Sequence, residues 1–290
     1  MANIEFSPLI AGTMKWGTWG KNYDTAQIQT IINCCVENKI TSFDHADIYG
    51  DYSTEAAFGL AFKEMNIDRA SLQFISKCGI QLLQGVRKNK IKHYDYSYEY
   101  IIKSAEQSLT NLHTDYLDLF LLHRPSPLMH TDEIAQAITK LKNDGKILSF
   151  GVSNFTSSQT ALINQKIEVE FNQIEYSITH LDPLENGIFE DMIINNIRPM
   201  CWSPLGSVFT NPTEKTVTIK KVIAELSEKY NAPEDIILLA WILKHPSKIL
   251  PVFGTADPER ITNLLKATTI NIELTDWFYL LEAGKGREVA

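Results

Sequence analysis

Short apolar runs rich in β-branched and aromatic residues recur along the chain. They fall at Leu9–Gly12, Ile40–Asp44, Leu72–Lys77, Tyr116–His123, Ile147–Ser153, Phe171–Tyr176, Arg198–Ser203 and Ile249–Phe253. Between them the apolar spacing changes to that of helices. Thr131 is expected to cap a helix whose buried face is Ile134, Ile138 and Leu141, with Gly145 at its C′ position. Ser97 is expected to cap another, with Ile101, Ala105, Leu109 and Leu112 on one stripe. Asn231-Ala232-Pro233 opens a third, where a proline in the first turn sacrifices no hydrogen bond. Its run Ile236–Leu243 is apolar on every side, so that helix is expected to be buried on more than one face.

Strand and helix alternate through the whole sequence, which predicts parallel β/α units. Near-continuous apolar strands such as Leu117–Leu122 fit a sheet covered by helices. Eight units favour a closed α/β barrel, the (β/α)8 or TIM fold, as one domain over residues 1–290. The open doubly wound sheet is the alternative, but its nucleotide signatures are missing: Gly12, Gly17 and Gly20 do not make GxGxxG, and no GxxxxGK[ST] occurs. A length of 290 residues suits the barrel, and 44% hydrophobic with 21% charged residues is enough for a sizeable core.

The longest uncharged apolar run, Ile236–Leu243, is too short to span a bilayer, and Met1–Glu5 is polar rather than a signal segment. Four cysteines, two of them adjacent at Cys34 and Cys35, are no disulfide framework, and the cytoplasm is the expected compartment. A net charge of −8 argues against nucleic acid and anionic membrane as partners. The expected state is a monomer or weak homo-oligomer, because a closed barrel has no free sheet edge.

A barrel places chemistry where strands end and βα loops begin. Polar residues sit at those points: Asp44 through Tyr49 after the second strand, Lys77 at the end of the third, His123 after the fourth. Ser153 and Asn154 follow the fifth, Gln173 lies in the sixth, and Trp202 and Ser203 close the seventh. Singly, each has an ordinary structural use as a cap, a rim group or a packed ring. Jointly, Asp44, Tyr49, Lys77 and His123 close three successive strands and should converge. The Lys77 ammonium is expected to stabilise a Tyr49 phenolate and lower its pKa, with Asp44 holding the lysine charged. His123 and Tyr49 then offer two donors to one developing alkoxide. No metal-ligand cluster, activated nucleophile or carboxylate pair is present. The set suits carbonyl reduction or alcohol oxidation, provided a cofactor carries the hydride.

These residues resemble those of the aldo-keto reductase superfamily, and the resemblance runs from Gly12-Thr13-Met14-Lys15-Trp16-Gly17 to Pro258-Glu259-Arg260-Ile261. FDHADIYG, ISKCG, LLHRP, GVSNF, NQIEYS and WSPLG occur in the family's order, and the stretch HYDYSYEYI…SLTNLHTDYLDLFLLHRPSPLM is similar to a bacterial branch of predicted oxidoreductases. The resemblance implies Tyr49 as proton donor, Lys77 and Asp44 as its tuning pair, and His123 as the substrate-orienting donor. It implies a nicotinamide cofactor, NADP(H) with NAD(H) also possible, bound across the barrel mouth. Thr13 and Met14 then belong to the cofactor site. Ser153, Asn154 and Gln173 match the carboxamide-holding residues, and Trp202 stands where many members stack a tyrosine on the nicotinamide ring. Ser203, Leu205 and Gly206 match the pyrophosphate loop. Gly254 and Thr255 replace a Lys-Ser pair, while Arg260 keeps the place of an arginine that grips the 2′-phosphate. Backbone N–H groups of a helix starting near Pro258 are expected to assist. One cation fewer than in the best-known members, with Asp257 and Glu259 nearby, leaves cofactor preference open.

The implied substrate is a small aldehyde or ketone. The long segment Gly79–Tyr96 is expected to form a lid or pocket wall, with Trp16, Trp19, Tyr49 and Tyr52 adding apolar surface. Ser207–Thr216 is expected to fold over bound cofactor. The alternative is a non-catalytic, NADP(H)-binding module that senses the redox state of the pool on the same fold; a pure sensor has no need of Tyr49 or Lys77.

Overall fold

The structure, a computed structural model, describes residues 4–83 and 85–290. Met1–Asn3, part of the polar opening, and Gln84, within the long loop, lie outside the described residues. The strands are β1 (Ile10–Gly12), β2 (Ser42–Asp44), β3 (Gln73–Cys78), β4 (Ile80–Gln81), β5 (His93–Tyr94), β6 (Leu117–Leu122), β7 (Ile147–Ser153), β8 (Phe171–Glu175), β9 (Arg198–Trp202) and β10 (Leu250–Phe253). Eight of them close a parallel barrel in the order β1-β10-β9-β8-β7-β6-β3-β2. Seven of these eight fall within an apolar run read from the sequence, and β3 extends one residue, to Cys78, beyond its run. The remaining two, β4 and β5, pair antiparallel as a small hairpin inside the segment expected to wall the pocket.

Helices α1 (Thr25–Glu37), α2 (Thr54–Lys63), α3 (Tyr98–Leu112), α4 (Thr131–Asn143), α5 (Ser157–Asn164), α6 (Ile188–Ile194), α7 (Glu214–Tyr230), α8 (Glu234–Leu243), α9 (Pro258–Leu264) and α10 (Leu274–Lys285) surround the barrel. Ser97 caps α3 as expected, its hydroxyl accepting from Tyr100 N. Thr131 does not cap α4: it is the first helical residue, and His130 holds the cap position without a side-chain bond. Gly145, at φ 70°, lies just past the C-cap Asp144. Helix α8 is buried from Ile236 through Ile242, as its all-round apolar surface demands. No helix among the described residues is long and apolar enough to cross a membrane. All four cysteines are free.

Alternation along the strands builds the site. Ile10, Ile75, Leu119, Leu121, Phe171, Met200, Leu250 and Val252 form one closed apolar cluster inside the barrel. Phe6 plugs its floor, meeting Phe171 edge-on with ring centroids 5.2 Å apart. Intervening residues such as Phe74, Phe120, Phe150 and Cys201 join the larger core beneath the helices. Side chains two positions apart share a face. Hence Lys77, His123, Gln173 and Trp202 follow Ile75, Leu121, Phe171 and Met200 on the inward side, one layer above the apolar floor.

Candidate active site

Lys77 is fully buried, and its ammonium spends its three donors on named partners. Nζ donates to Asp44 Oδ2 at 2.7 Å, to the His45 carbonyl at 2.7 Å and to Tyr49 Oη at 3.1 Å. Burial alone pulls a lysine's pKa down, but the charges and hydrogen bonds of Asp44 and Tyr49 outweigh it, and the pKa of Lys77 is raised. Tyr49 departs from the sequence expectation. Burial lifts its phenol above the ordinary 10, with Asp44 adding to the rise; Lys77 and Arg124 only moderate it. The hydroxyl is therefore fully protonated in the free site. Its ring lies 6.0 Å from that of His123, edge to face.

Burial, then the charges of Lys77, Arg124 and Lys92, push His123 well below its usual 6.5, so the imidazole is neutral. Its Nδ1 is buried without a partner. An unpaired lone pair there is less costly than an unpaired N–H, which assigns the proton to Nε2.

The opposite arc of the rim carries no charge. Ser153 Oγ donates to the Gln173 carbonyl at 2.9 Å and accepts from Asn154 Nδ2 at 2.8 Å. Asn154 Oδ1 accepts from Trp202 Nε1 at 2.9 Å, so the indole is fixed by the amide beside it. Asn154 and Ser203 both adopt positive φ, 61° and 52°, which turns the chain sharply off the ends of β7 and β9. Gln173 reaches across the barrel: its Nε2 donates to Asp44 Oδ1 at 3.0 Å, so both carboxylate oxygens of Asp44 are used.

Asp44, Tyr49, His123, Ser153, Asn154, Gln173, Trp202, Ser203, Met14 and Gly254 line one cavity of about 480 Å³. It shares Lys15, Ser203, Pro204, Phe253 and Gly254 with a neighbouring cleft of about 720 Å³ that holds Leu205, Gly206, Thr255 and Arg260. Together they make one long trench across the barrel mouth. Seven strand ends thus bring a protonated phenol, a neutral imidazole and a set of amides and hydroxyls to one opening.

A family model described as the aldo/keto reductase family matches residues 8–282. The chain belongs to the aldo/keto reductase family. Among relatives, it is 38% identical over 288 residues to oxidoreductase YdhF of Escherichia coli, covering 98% of this chain and 96% of that one. It is 36% identical over 293 residues to the uncharacterized oxidoreductase YcsN of Bacillus subtilis, covering 99% and 97%. It is 35% identical over 287 residues, 95% of each chain, to a 6-dehydroglucose reductase of Agrobacterium fabrum. The crystal structure of a thermostable aldo-keto reductase, Tm1743, with the inhibitor epalrestat superposes with a TM-score of 0.82 at 26% identity over 97% of both chains.

Several positions singled out in the sequence already have partners within the protein. Thr13 is fully buried, and its hydroxyl meets the Asp44 carbonyl and His45 Nδ1, each at 3.0 Å, rather than the cavity. Gly206, at φ 52°, lines the cleft and is packed closely from behind: a Cβ there would stand 2.0 Å from Thr179 Oγ1 and 2.5 Å from Ser177 Oγ. Arg260 is already held by Asp235 at 2.9 Å. The N–H groups that open α9 are spent as well, because Asp257 Oδ1 accepts from Glu259 N at 2.9 Å and Arg260 N at 3.4 Å. Trp16 is buried in the outer core and Tyr52 lies under Arg87, so of the expected apolar walls only Trp19 and Tyr49 line the cavity. Phe209 and Thr210, from the Ser207–Thr216 segment, line the cleft.

Sequence reasoning missed a buried polar cluster behind the rim. Asp47 Oδ2 accepts from Tyr100 Oη at 3.1 Å and Ser104 Oγ at 3.2 Å, while its Oδ1 has no partner. Burial, reinforced by nearby Glu55, raises Asp47 to about 7. His45, neighbour to Asp44, is pushed down to about 3 by burial and by the charges of Lys77 and Arg69. The only signal was the density of titratable letters in Asp44-His45-Ala46-Asp47, whose directions a linear sequence does not reveal.

Proposed function

We propose that this oxidoreductase transfers hydride between a nicotinamide dinucleotide, NADP(H) first and NAD(H) also accepted, and a small aldehyde or ketone. The observation that carries it is the Lys77 ammonium touching both Asp44 and Tyr49 beneath the cavity floor. The trench fits the cofactor: neutral amide and hydroxyl groups at its catalytic end suit a carboxamide, and an indole fixed by Asn154 presents a flat apolar wall. When bound, the nicotinamide supplies the hydride.

The chain's own residues handle the proton. Tyr49 Oη and His123 Nε2 donate to the carbonyl oxygen and polarise it. As negative charge gathers there, Tyr49 passes its proton to the oxygen, and the resulting phenolate faces the Lys77 ammonium. Asp44 keeps that ammonium in place. Alcohol oxidation runs the same steps backwards. At the far end Asp235 already neutralises Arg260, so a 2′-phosphate must compete for the guanidinium, and discrimination between the two dinucleotides is correspondingly modest.

Turnover of an aldehyde panel with NADPH and NADH in parallel, followed by loss of reduced-nicotinamide absorbance, tests this reading. Tyr49→Phe is expected to keep cofactor binding, read by quenching of protein fluorescence, and to slow the chemical step by roughly 10²–10⁴-fold. Wild-type turnover by that variant removes Tyr49 from the role.

A further inference from the structure

The chain has a net charge of −8, but its catalytic cavity is charged the other way. The charged residues in the cavity wall are Lys15, Asp44, Lys92 and Arg124. Lys77 already neutralises Asp44 at 2.7 Å. Lys15 also lines the cleft leading to Arg260 and so belongs to the cofactor side. Lys92 and Arg124 do not line that cleft; one comes from the β4–β5 segment and the other directly follows His123.

Neither of these two head groups has an ionic partner within 4.0 Å among the described residues. Two other arginines are occupied by protein acceptors: Arg69 by Thr114, Asp118 and two carbonyls, and Arg87 by Gln81 and Tyr100. Arg124 is half-buried, with its guanidinium 5.6 Å over the Trp202 ring. A guanidinium so placed has given up part of its hydration and has no side-chain acceptor among the described residues. The charges of Lys92 and Arg124 both reach His123 and add to its depressed basicity. Lys92 is exposed and Arg124 half-buried, and because both line one cavity they leave it with a positive potential that an entering anion would meet.

We propose that Lys92 and Arg124 form an anion subsite, so that the natural substrate is a carbonyl compound bearing a carboxylate or equivalent oxyanion away from its reacting carbon. This rests on the carbonyl-reduction reading above. A planar guanidinium suits a carboxylate bidentately, and the ammonium adds a second charged donor. Neutral hydroxyls satisfy donors but leave the charge uncompensated, which is why an anion is favoured over a neutral polyol.

The matched probes para-formylbenzoate and para-formylbenzamide share ring and aldehyde and differ in charge. Their KM values and calorimetric Kd values are measured on the cofactor-loaded enzyme and on Lys92→Gln/Arg124→Gln. The expected result is a roughly tenfold preference for the benzoate that weakens with salt and collapses in the double variant. Lys92→Arg/Arg124→Lys should restore it in part. A sulfonate analogue identifies which oxyanion fits best. Equal KM and Kd for the two probes, with both reduced, overturns the anion subsite and leaves carbonyl reduction standing. Tighter calorimetric binding of the benzoate with neither probe reduced supports the subsite and counts against carbonyl reduction.

Discussion

The two arcs of the barrel rim are built from different chemistry. From β2 through β6 the inward groups are Asp44, Tyr49, Lys77 and His123, all titratable and all buried. From β7 through β9 they are Ser153, Asn154, Gln173 and Trp202, none of which titrates in water's usual range. Both arcs stand on the same apolar floor, so the difference is not one of depth. What differs is the task each suits: buried charge can be stabilised or released during a reaction, whereas neutral amides hold a fixed pattern of donors and acceptors at any pH. The first arc is also costlier to maintain, because each charge must be met by another.

The largest expected effect breaks the first arc. Lys77→Met leaves Asp44 buried without its cation, and unfolding in urea should show a loss of about 3–5 kcal/mol together with lost turnover. An unchanged midpoint would mean that Asp44 does not depend on the ammonium. Next comes Asp47→Asn. Burial and Glu55 raise Asp47 from 3.8 to about 7. Its contribution is complete below the unfolded pKa and is lost as pH rises through about 7. His45 works the other way: with its pKa depressed from 6.5 to about 3, its contribution is complete above 6.5 and lost as pH falls through about 3. Asp47→Asn should therefore raise the unfolding free energy in urea more at about pH 8 than at about pH 5, by a difference on the order of 2 kcal/mol.

Smaller effects belong to the neutral arc and the far cleft. Ser153→Ala removes a hydroxyl that serves both Asn154 and Gln173, and dinucleotide Kd should rise roughly tenfold with the pH profile of turnover unmoved. A shifted profile would blur the division between the arcs. Smallest is Arg260→Ala, where KM for NADPH should rise by less than about tenfold and KM for NADH should stay put. A much larger effect would show that the Asp235 pair yields readily to a phosphate.

The barrel was legible because its strands are apolar runs such as Leu117–Leu122, and their order along the chain dictates parallel pairing. The convergence of Asp44, Tyr49, Lys77 and His123 followed from strand-end position. The hairpin of β4 and β5 was not legible, since strands of two residues carry no period. Nor was the Arg260–Asp235 pair, which joins α9 to the first turn of α8 across 25 positions. Gly206 shows a subtler limit. A glycine in a motif loop invites a ligand explanation, and only the neighbouring Thr179 and Ser177 reveal that packing by itself already demands a glycine there. Tyr49 was misjudged for a related reason: the sequence names the ammonium beside it but not the depth of burial that outweighs it.

Gln173 reaching Asp44 across the barrel gives the two arcs a common joint. Any substitution at that glutamine will also retune the acid on the far wall. Variants made there should be screened for a moved pH optimum before their rates are compared.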